Sequence, residues 1–322
     1  MAHVPKNPAI AMREGVSPSC LALPRLRHIP WPSLLDHLAE RLPRVSRAEW
    51  EQRMLAGRVL DESGQPLAPD APYVNGARIY CWRELAQEAE VPFHEQVVFQ
   101  DEHLVVADKP HFLPVTPGGR YVQQSLLVRL KRRLGLPDLS PLHRIDRETA
   151  GLVVFSVRPQ DRDAYQRLFR ERQVHKAYEA IARWRGDLAW PITRRSHLLE
   201  CEDAFYKMRE AAAHEGLADN SETRIDCVER RGAWARYRLW PVSGRRHQLR
   251  VHMLGLGLPL CGDQFYPTVR RAPGEPEDFA EPLRLLAQTL AFDDPVTGQA
   301  RRFESGLALA WPASDTPDAA VP

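Results

Sequence analysis

The stretch from Pro141 to Ser156 reads PLHRIDRETAGLVVFS, and it places one carboxylate, Asp146, between Arg144 and Arg147. Thr149 and Gly151 follow, and then an unbroken apolar run begins at Leu152. The run is strand-like, so Asp146 falls on a turn ahead of a buried strand. Such a turn holds a side chain rigidly at the rim of a cleft. Flanking guanidinium groups favour the ionised carboxylate. On residue types alone, the same cluster also describes an ion-paired surface turn.

Outward from this turn, strand character recurs at Leu104–Ala107, Leu152–Val157, Ala177–Ala182, Ala235–Leu239 and Leu285–Phe292. Gln124–Leu134 and Asp161–Gln173 have helical spacing, the latter with Ala164, Tyr165, Leu168 and Phe169 as its apolar stripe. Strands dominate without βα alternation, which predicts an α+β domain on a mainly antiparallel, mixed sheet over 96–312. Toward the N-terminus, residues 1–30 form a loose lead-in. Ser33 caps a helix carrying Leu34, Leu35, Leu38 and Leu42, and Pro43 stops it. Ser46 opens a second helix with Glu49 three residues on, a capping-box spacing. Short strands near Arg58–Leu60 and Ala77–Cys81 complete a small helical/β domain over 31–82. Residues 83–95 read as a linker and 313–322 as a flexible tail.

Composition narrows the function classes. The chain has 322 residues, 43% hydrophobic and 27% charged, with no apolar run of membrane-spanning length. The first twenty residues lack the continuous apolar core of a secretory signal. Five scattered cysteines make neither a CxxC pair nor a zinc-spaced cluster, which predicts a reduced, cytoplasmic protein without structural metal. Net charge is only +2, yet Arg224–Arg250 holds eight arginines against Asp226 and Glu229. That run suits a polyanion gripped along one face, and equally a solvated surface strand. No dinucleotide fingerprint or P-loop is present.

Several stretches resemble known motifs. SLLDHLAERLPRVSRAEWEQRMLAGRVL resembles the αL RNA-binding motif, with Leu60-Asp61-Glu62 where that motif usually has VNG. PLHRIDRETAGLVVFS resembles the HRLDxxTSGLL signature of RluA-family pseudouridine synthases, with Ile145 for Leu and Ala150 for Ser. VVADKPHFLPVTPGG is similar to the family's first block, with Asp108 where Asn is common. KAYEAIARW, GRRHQLRVHMLGLGLPLCGDQFY and LRLLAQTLAFDDPVTGQ continue the likeness in family order across about residues 97–305. The resemblance implies the pseudouridine synthase fold and isomerisation of selected uridines in structured ribosomal or transfer RNA. It implies Asp146 as the catalytic aspartate, Tyr178 as the tyrosine beside the target base, and Arg250 as the aspartate's basic partner. Arg144 matches the arginine associated with filling the space of the flipped nucleotide. Arg147, Arg245, Arg246, His247, Gln248, Lys109 and Lys176 join Arg144 as expected RNA contacts.

The reaction breaks the glycosidic C–N bond, turns the uracil and rejoins it through carbon. A carboxylate can serve such chemistry as nucleophile, base or electrostatic partner, and all three roles stay open for Asp146. The uridine must first leave its stack, at a cost of a few kcal/mol. No metal, nucleotide or redox cofactor is expected, nor a membrane, and the chain is expected to act as a monomer. Two other functions fit the residues: a non-catalytic RNA-binding protein on the same scaffold, and a small-molecule hydrolase using Asp146.

Overall fold

The computed structural model describes residue 7 and residues 10–85, 87–202, 204–270, 275 and 278–312; the expected tail over 313–322 lies outside them. The chain forms two compact units. The first comprises Met1–Ala89, Gly118–Gln123 and Val128–Pro137, and the second Glu90–Pro117, Gln124–Leu127 and Asp138–Pro322.

In the first unit, β1 (Ser19–Ala22), α1 (Leu34–Arg41), α2 (Arg47–Leu55), β2 (Val59–Leu60) and β3 (Arg78–Cys81) follow in order, and the strands pair as β1-β3-β2. The reciprocal capping box belongs to α1: Ser33 Oγ accepts from Asp36 N while Asp36 accepts from Ser33 N. At α2 only half of it forms. Ser46 Oγ accepts from Glu49 N, but Glu49 pairs with Arg53 one turn on. Leu34, Leu35, Leu38, Trp50 and Met54 make one core with Leu23, Trp31 and Ile79.

The unit boundaries differ from the sequence reading. Part of the expected lead-in is structured: Ile10 and Val16 are buried and Ser19–Ala22 is a strand. These apolar residues carry no periodicity, which is why the sequence hides them. The expected linker divides at Ala89, and two mid-chain pieces of the expected main domain belong to the first unit. Val122 and Val128 complete a second core there with Ile10, Val16, Leu60, Tyr80 and Trp82.

The second unit is the α+β domain that the strand pattern predicts. Its elements are β4 (Gln96–Gln100), β5 (Leu104–Lys109), α3 (Leu126–Leu134, which continues into the first unit), β6 (Ser140–Pro141), β7 (Ala150–Ser156), α4 (Arg162–Arg170), β8 (His175–Arg183) and β9 (Ile192–Ser196). After them come β10 (Leu198–Cys201), β11 (Ala204–Glu210), β12 (Ser221–Arg231), β13 (Trp234–Pro241), α5 (Gln248–Gly255), β14 (Leu285–Asp293) and β15 (Ala300–Glu304). A ten-stranded sheet runs β4-β5-β7-β14-β8-β13-β12-β9, with β6 on β7 and β15 on β14, while β10 and β11 form a separate ribbon. Among the described residues only β7 and β14 pair in parallel. Strands β9 and β12 escape sequence detection because charged side chains alternate with small polar ones; Ser221, Thr223 and Ile225 are nonetheless the buried face of β12.

Two helices cover the sheet. Tyr165 and Leu168 of α4 pack on Leu104, Val106, Leu152 and Val154. Leu249 and Met253 of α5 pack on Ala180, Ala182, Tyr237 and Leu239. Truncating such buried side chains costs about 2–5 kcal/mol each. The β7–β14 junction is tighter than a side chain allows. Gly151 has φ +109°, and a Cβ there would lie 2.3 Å from the Ala287 carbonyl oxygen. Gly151→Ala is therefore expected to destabilise the fold by about 3 kcal/mol or more, through strain and overpacking together. Urea unfolding of the variant beside wild type measures it.

Candidate active site

The turn between β6 and β7 carries Asp146, and four anchors make it rigid. Thr149 N donates to Asp146 O at 3.2 Å, closing the turn. Lys109 Nζ, at the end of β5, donates to the carbonyls of Pro110 at 2.9 Å and Arg147 at 3.0 Å. His111 Nδ1 donates to Glu148 O at 2.7 Å. His143 Nε2 accepts from Val154 N at 3.1 Å, with its ring stacked on Phe169. Asp146 itself keeps 23% of its side chain exposed and opens on a cleft.

Its cation comes from another element. Arg250, on the first turn of α5, has a side chain with no solvent exposure, and Nη1 reaches Asp146 Oδ2 at 3.3 Å. Burial works against the cation, but bonds to Asp263 and the charges of Asp263, Asp146 and Glu148 raise its pKa above the ordinary value. The flanking arginines do not take this place: Arg147 Nε pairs with Glu148 at 2.9 Å, and Arg144 is exposed. A residue next in sequence on a turn points elsewhere, whereas α5 aims Arg250 along the core.

Tyr178 on β8 lines the same cleft. Burial first, then the nearby charge of Asp146, raises its pKa, so the phenol stays protonated. His247 caps α5 in a left-handed conformation at φ +52°. Its Nδ1 meets Tyr266 Oη at 2.9 Å and its Nε2 lies 4.0 Å from Asp146 Oδ2. Burial, with Arg250 and Arg246 adding to it, lowers its pKa to about 3, so it is neutral.

The cleft has a volume of about 90 Å³ and brings Asp146, Tyr178, Arg250, Arg144, Lys176 and Arg245 together, along with His247 and Gln248. Lys176 is half-buried, and burial lowers its pKa. Arg245 is exposed at the rim, and Arg246 beside it donates to Tyr206 O at 3.0 Å.

Two expected RNA contacts are corrected. Lys109 has no exposure and spends its ammonium on the two carbonyls, because it ends β5, a strand buried along its whole length between β4 and β7. Gln248 is buried; its Oε1 accepts from Ser243 Oγ and Arg245 N, and its Nε2 donates to Glu222 O and Thr223 Oγ1. It shapes the loop between β13 and α5. The sequence reading missed Asp263, whose carboxylate clamps Arg250 from behind. The signal available was an acid directly after Gly262 in the quoted block, without a partner named for it.

Comparison with known proteins gives the family of the chain. The sequence profile of the RNA pseudouridylate synthase family matches residues 103–254. An uncharacterized RNA pseudouridine synthase of Synechocystis is 31% identical over 240 residues, covering 72% of this chain and 79% of that protein. The dual-specificity RNA pseudouridine synthase RluA of Vibrio cholerae is 35% identical over 62% of this chain and 77% of its own. RluA of Haemophilus influenzae is 32% identical over 65% and 91%. In structure, human RNA pseudouridylate synthase domain containing 1 superposes with a TM-score of 0.54 at 21% identity, over 68% of this chain and 85% of that one, a likeness of fold. The chain belongs to the RluA family of RNA pseudouridine synthases. It is an isomerase that converts uridine in RNA to pseudouridine, not a non-catalytic binder.

Three histidines packed into the second unit make the fold acid-sensitive. Burial lowers His143 and His247 to about 3 and His252 to about 4, against about 6.5 in an unfolded chain. Below pH 6.5 the unfolded chain takes up protons that the folded form refuses, so stability falls with pH down to those folded values. At pH 5 each such histidine costs about 2 kcal/mol. The urea midpoint should drop steeply between pH 7 and 5. In His143→Gln the slope should ease by about 1.4 kcal/mol per pH unit, one proton's share.

Proposed function

We propose that Asp146, Arg250 and Tyr178 form the reacting centre, and that the substrate is structured ribosomal or transfer RNA entered by a flipped uridine. The observation that carries this reading is the convergence of the three side chains, from a turn, a helix and a strand, on one cleft. The dual-specificity names of the bacterial relatives support the RNA classes. Cleavage of the N1–C1′ bond leaves positive character on the sugar and negative charge on uracil. Asp146 faces the first, with Arg250 fixing its orientation. After rotation C5 bonds to C1′, the C5 proton departs and N1 gains one, so composition is unchanged. Tyr178, protonated beside the carboxylate, supplies a donor for the detached base.

Arg144, Lys176, Arg245 and Arg246 suit the phosphates around the flipped nucleotide, and Arg144 suits the gap left in the stack. A role of the first unit as an RNA-binding appendage is supported by its resemblance to the αL motif and by exposed Arg41, Arg44 and Arg47. A cytoplasmic location suits the five cysteines, which are scattered along the sequence.

Chemical mapping of pseudouridine in RNA from cells lacking the gene should reveal missing positions, restored by wild type and not by Asp146→Asn. The purified variant should fold, bind RNA and turn over at least about 10³-fold more slowly. Full rescue by Asp146→Asn would exclude the proposed centre. Arg144→Ala and Arg245→Ala should each lower the slope of log affinity against log salt by about 0.7 to 0.9, one phosphate's share, in salt titrations of binding.

A further inference from the structure

Arg250 touches Asp146 with one nitrogen and something else with the rest. Its Nε donates to Asp263 Oδ2 at 2.8 Å and its Nη2 to Asp263 Oδ1 at 2.6 Å, a bidentate fork. Asp263 is 1% exposed, and its Oδ1 also accepts from Phe265 N at 2.8 Å and Tyr266 N at 3.1 Å. The backbone that delivers it has little room to move. Gly262 has φ +75°, and a Cβ there would sit 2.3 Å from the Pro282 carbonyl oxygen. The Phe265 and Tyr266 rings lie 5.1 and 5.2 Å from the guanidinium centre. At the other end, Nη1 reaches Asp146 at 3.3 Å and Glu148 at 3.8 Å.

These distances rank the contacts. Two short charge-assisted bonds on a fixed carboxylate outweigh one long contact, so Asp263 decides where the guanidinium sits. Were Arg250 held by Asp146 alone, the planar fork would close bidentately on that carboxylate and occupy both of its oxygens. With Nε and Nη2 taken, a single nitrogen faces Asp146, its bond goes to Oδ2, and Oδ1 is left for the substrate. We propose that Asp263 is a positioning residue of the isomerisation, acting through Arg250 to orient Asp146 and to keep one of its oxygens uncovered. The inference rests on Asp146 as the reacting carboxylate. A buried ion pair is poor evidence of stability and better suited to fixing geometry, which is the use made of it here.

The test uses the full chain and RNA isolated from the gene-deletion strain, with single-turnover rates measured across enzyme concentration. Asp263→Asn should lower the saturated rate about 10- to 100-fold, the scale of a misplaced reacting group. The half-saturating enzyme concentration should stay within about threefold, since RNA does not touch this side chain. Arg250→Met should be slow as well, and the double variant no slower than Arg250→Met, because both act through one guanidinium. A folded Asp263→Asn at wild-type rate, or a double variant slowed by the product of the two effects, overturns the proposal. If Asp263→Asn does not fold, Asp263→Glu decides. It keeps the charge pair but pushes the fork out of place, so a drop of about tenfold supports the proposal and a wild-type rate ends it. An active Asp146→Asn would instead sink the reading of the centre itself, whereas an inactive one beside a fully active Asp263→Asn sinks this inference alone.

Discussion

A guanidinium without solvent contact sits between a fully buried acid and a partly exposed one, and the rest of the site is arranged around it. Removing Arg250 from water costs several kcal/mol, offset only because Asp263 meets two of its nitrogens and itself receives two backbone N–H bonds. Aromatic rings from the same segment close over the pair. The result is a point of positive charge at a defined place, 3.3 Å from the carboxylate that opens on the cleft. A flexible surface arginine would neutralise Asp146 equally well but would not orient it.

The turn bearing Asp146 is held with comparable strictness, largely by groups that do no chemistry. Lys109 is fully buried, with its pKa lowered to about 7 by burial, and it ties the end of β5 to the carbonyl beside the aspartate. Gly151 lets β7 approach β14 in the one parallel pairing among the described strands, directly after the turn. Tyr178 comes from β8 on the other side of β14, so the register of three adjacent strands relates it to Asp146. Preorganisation of this kind would let the proposed reacting side chains act on a uridine without reorganising around it.

The arginine run from 224 to 250 does not make one surface. Arg236 and Arg238 both pair with Glu179 at 3.2 Å, across β13 and β8. Arg224, Arg230 and Arg231 lie over Trp240, Trp184 and Trp311. Arg245 lines the cleft with Arg246 next to it, and Arg250 is in the core. Alternation along β12 and β13 sends neighbours to opposite faces, so linear charge density overstated the grip on a polyanion.

By itself the sequence determined the α+β class, the helices with their caps at Ser33 and Ser46, and the central strands. It also singled out Asp146, Tyr178 and Arg250, since ordered motif blocks and local periodicity are properties of the linear chain. It could not show that Ile10, Val16, Val122 and Val128 share a core, because apolar residues without periodicity reveal burial only once distant segments meet. Nor could it separate Lys109 and Gln248, spent on internal hydrogen bonds, from Arg144 and Arg245 at the cleft, or find Asp263. Whether a polar side chain faces solvent or a buried partner is decided by what the fold packs against it. That decision rests on contacts more than a hundred residues apart, such as Arg250 with Asp146.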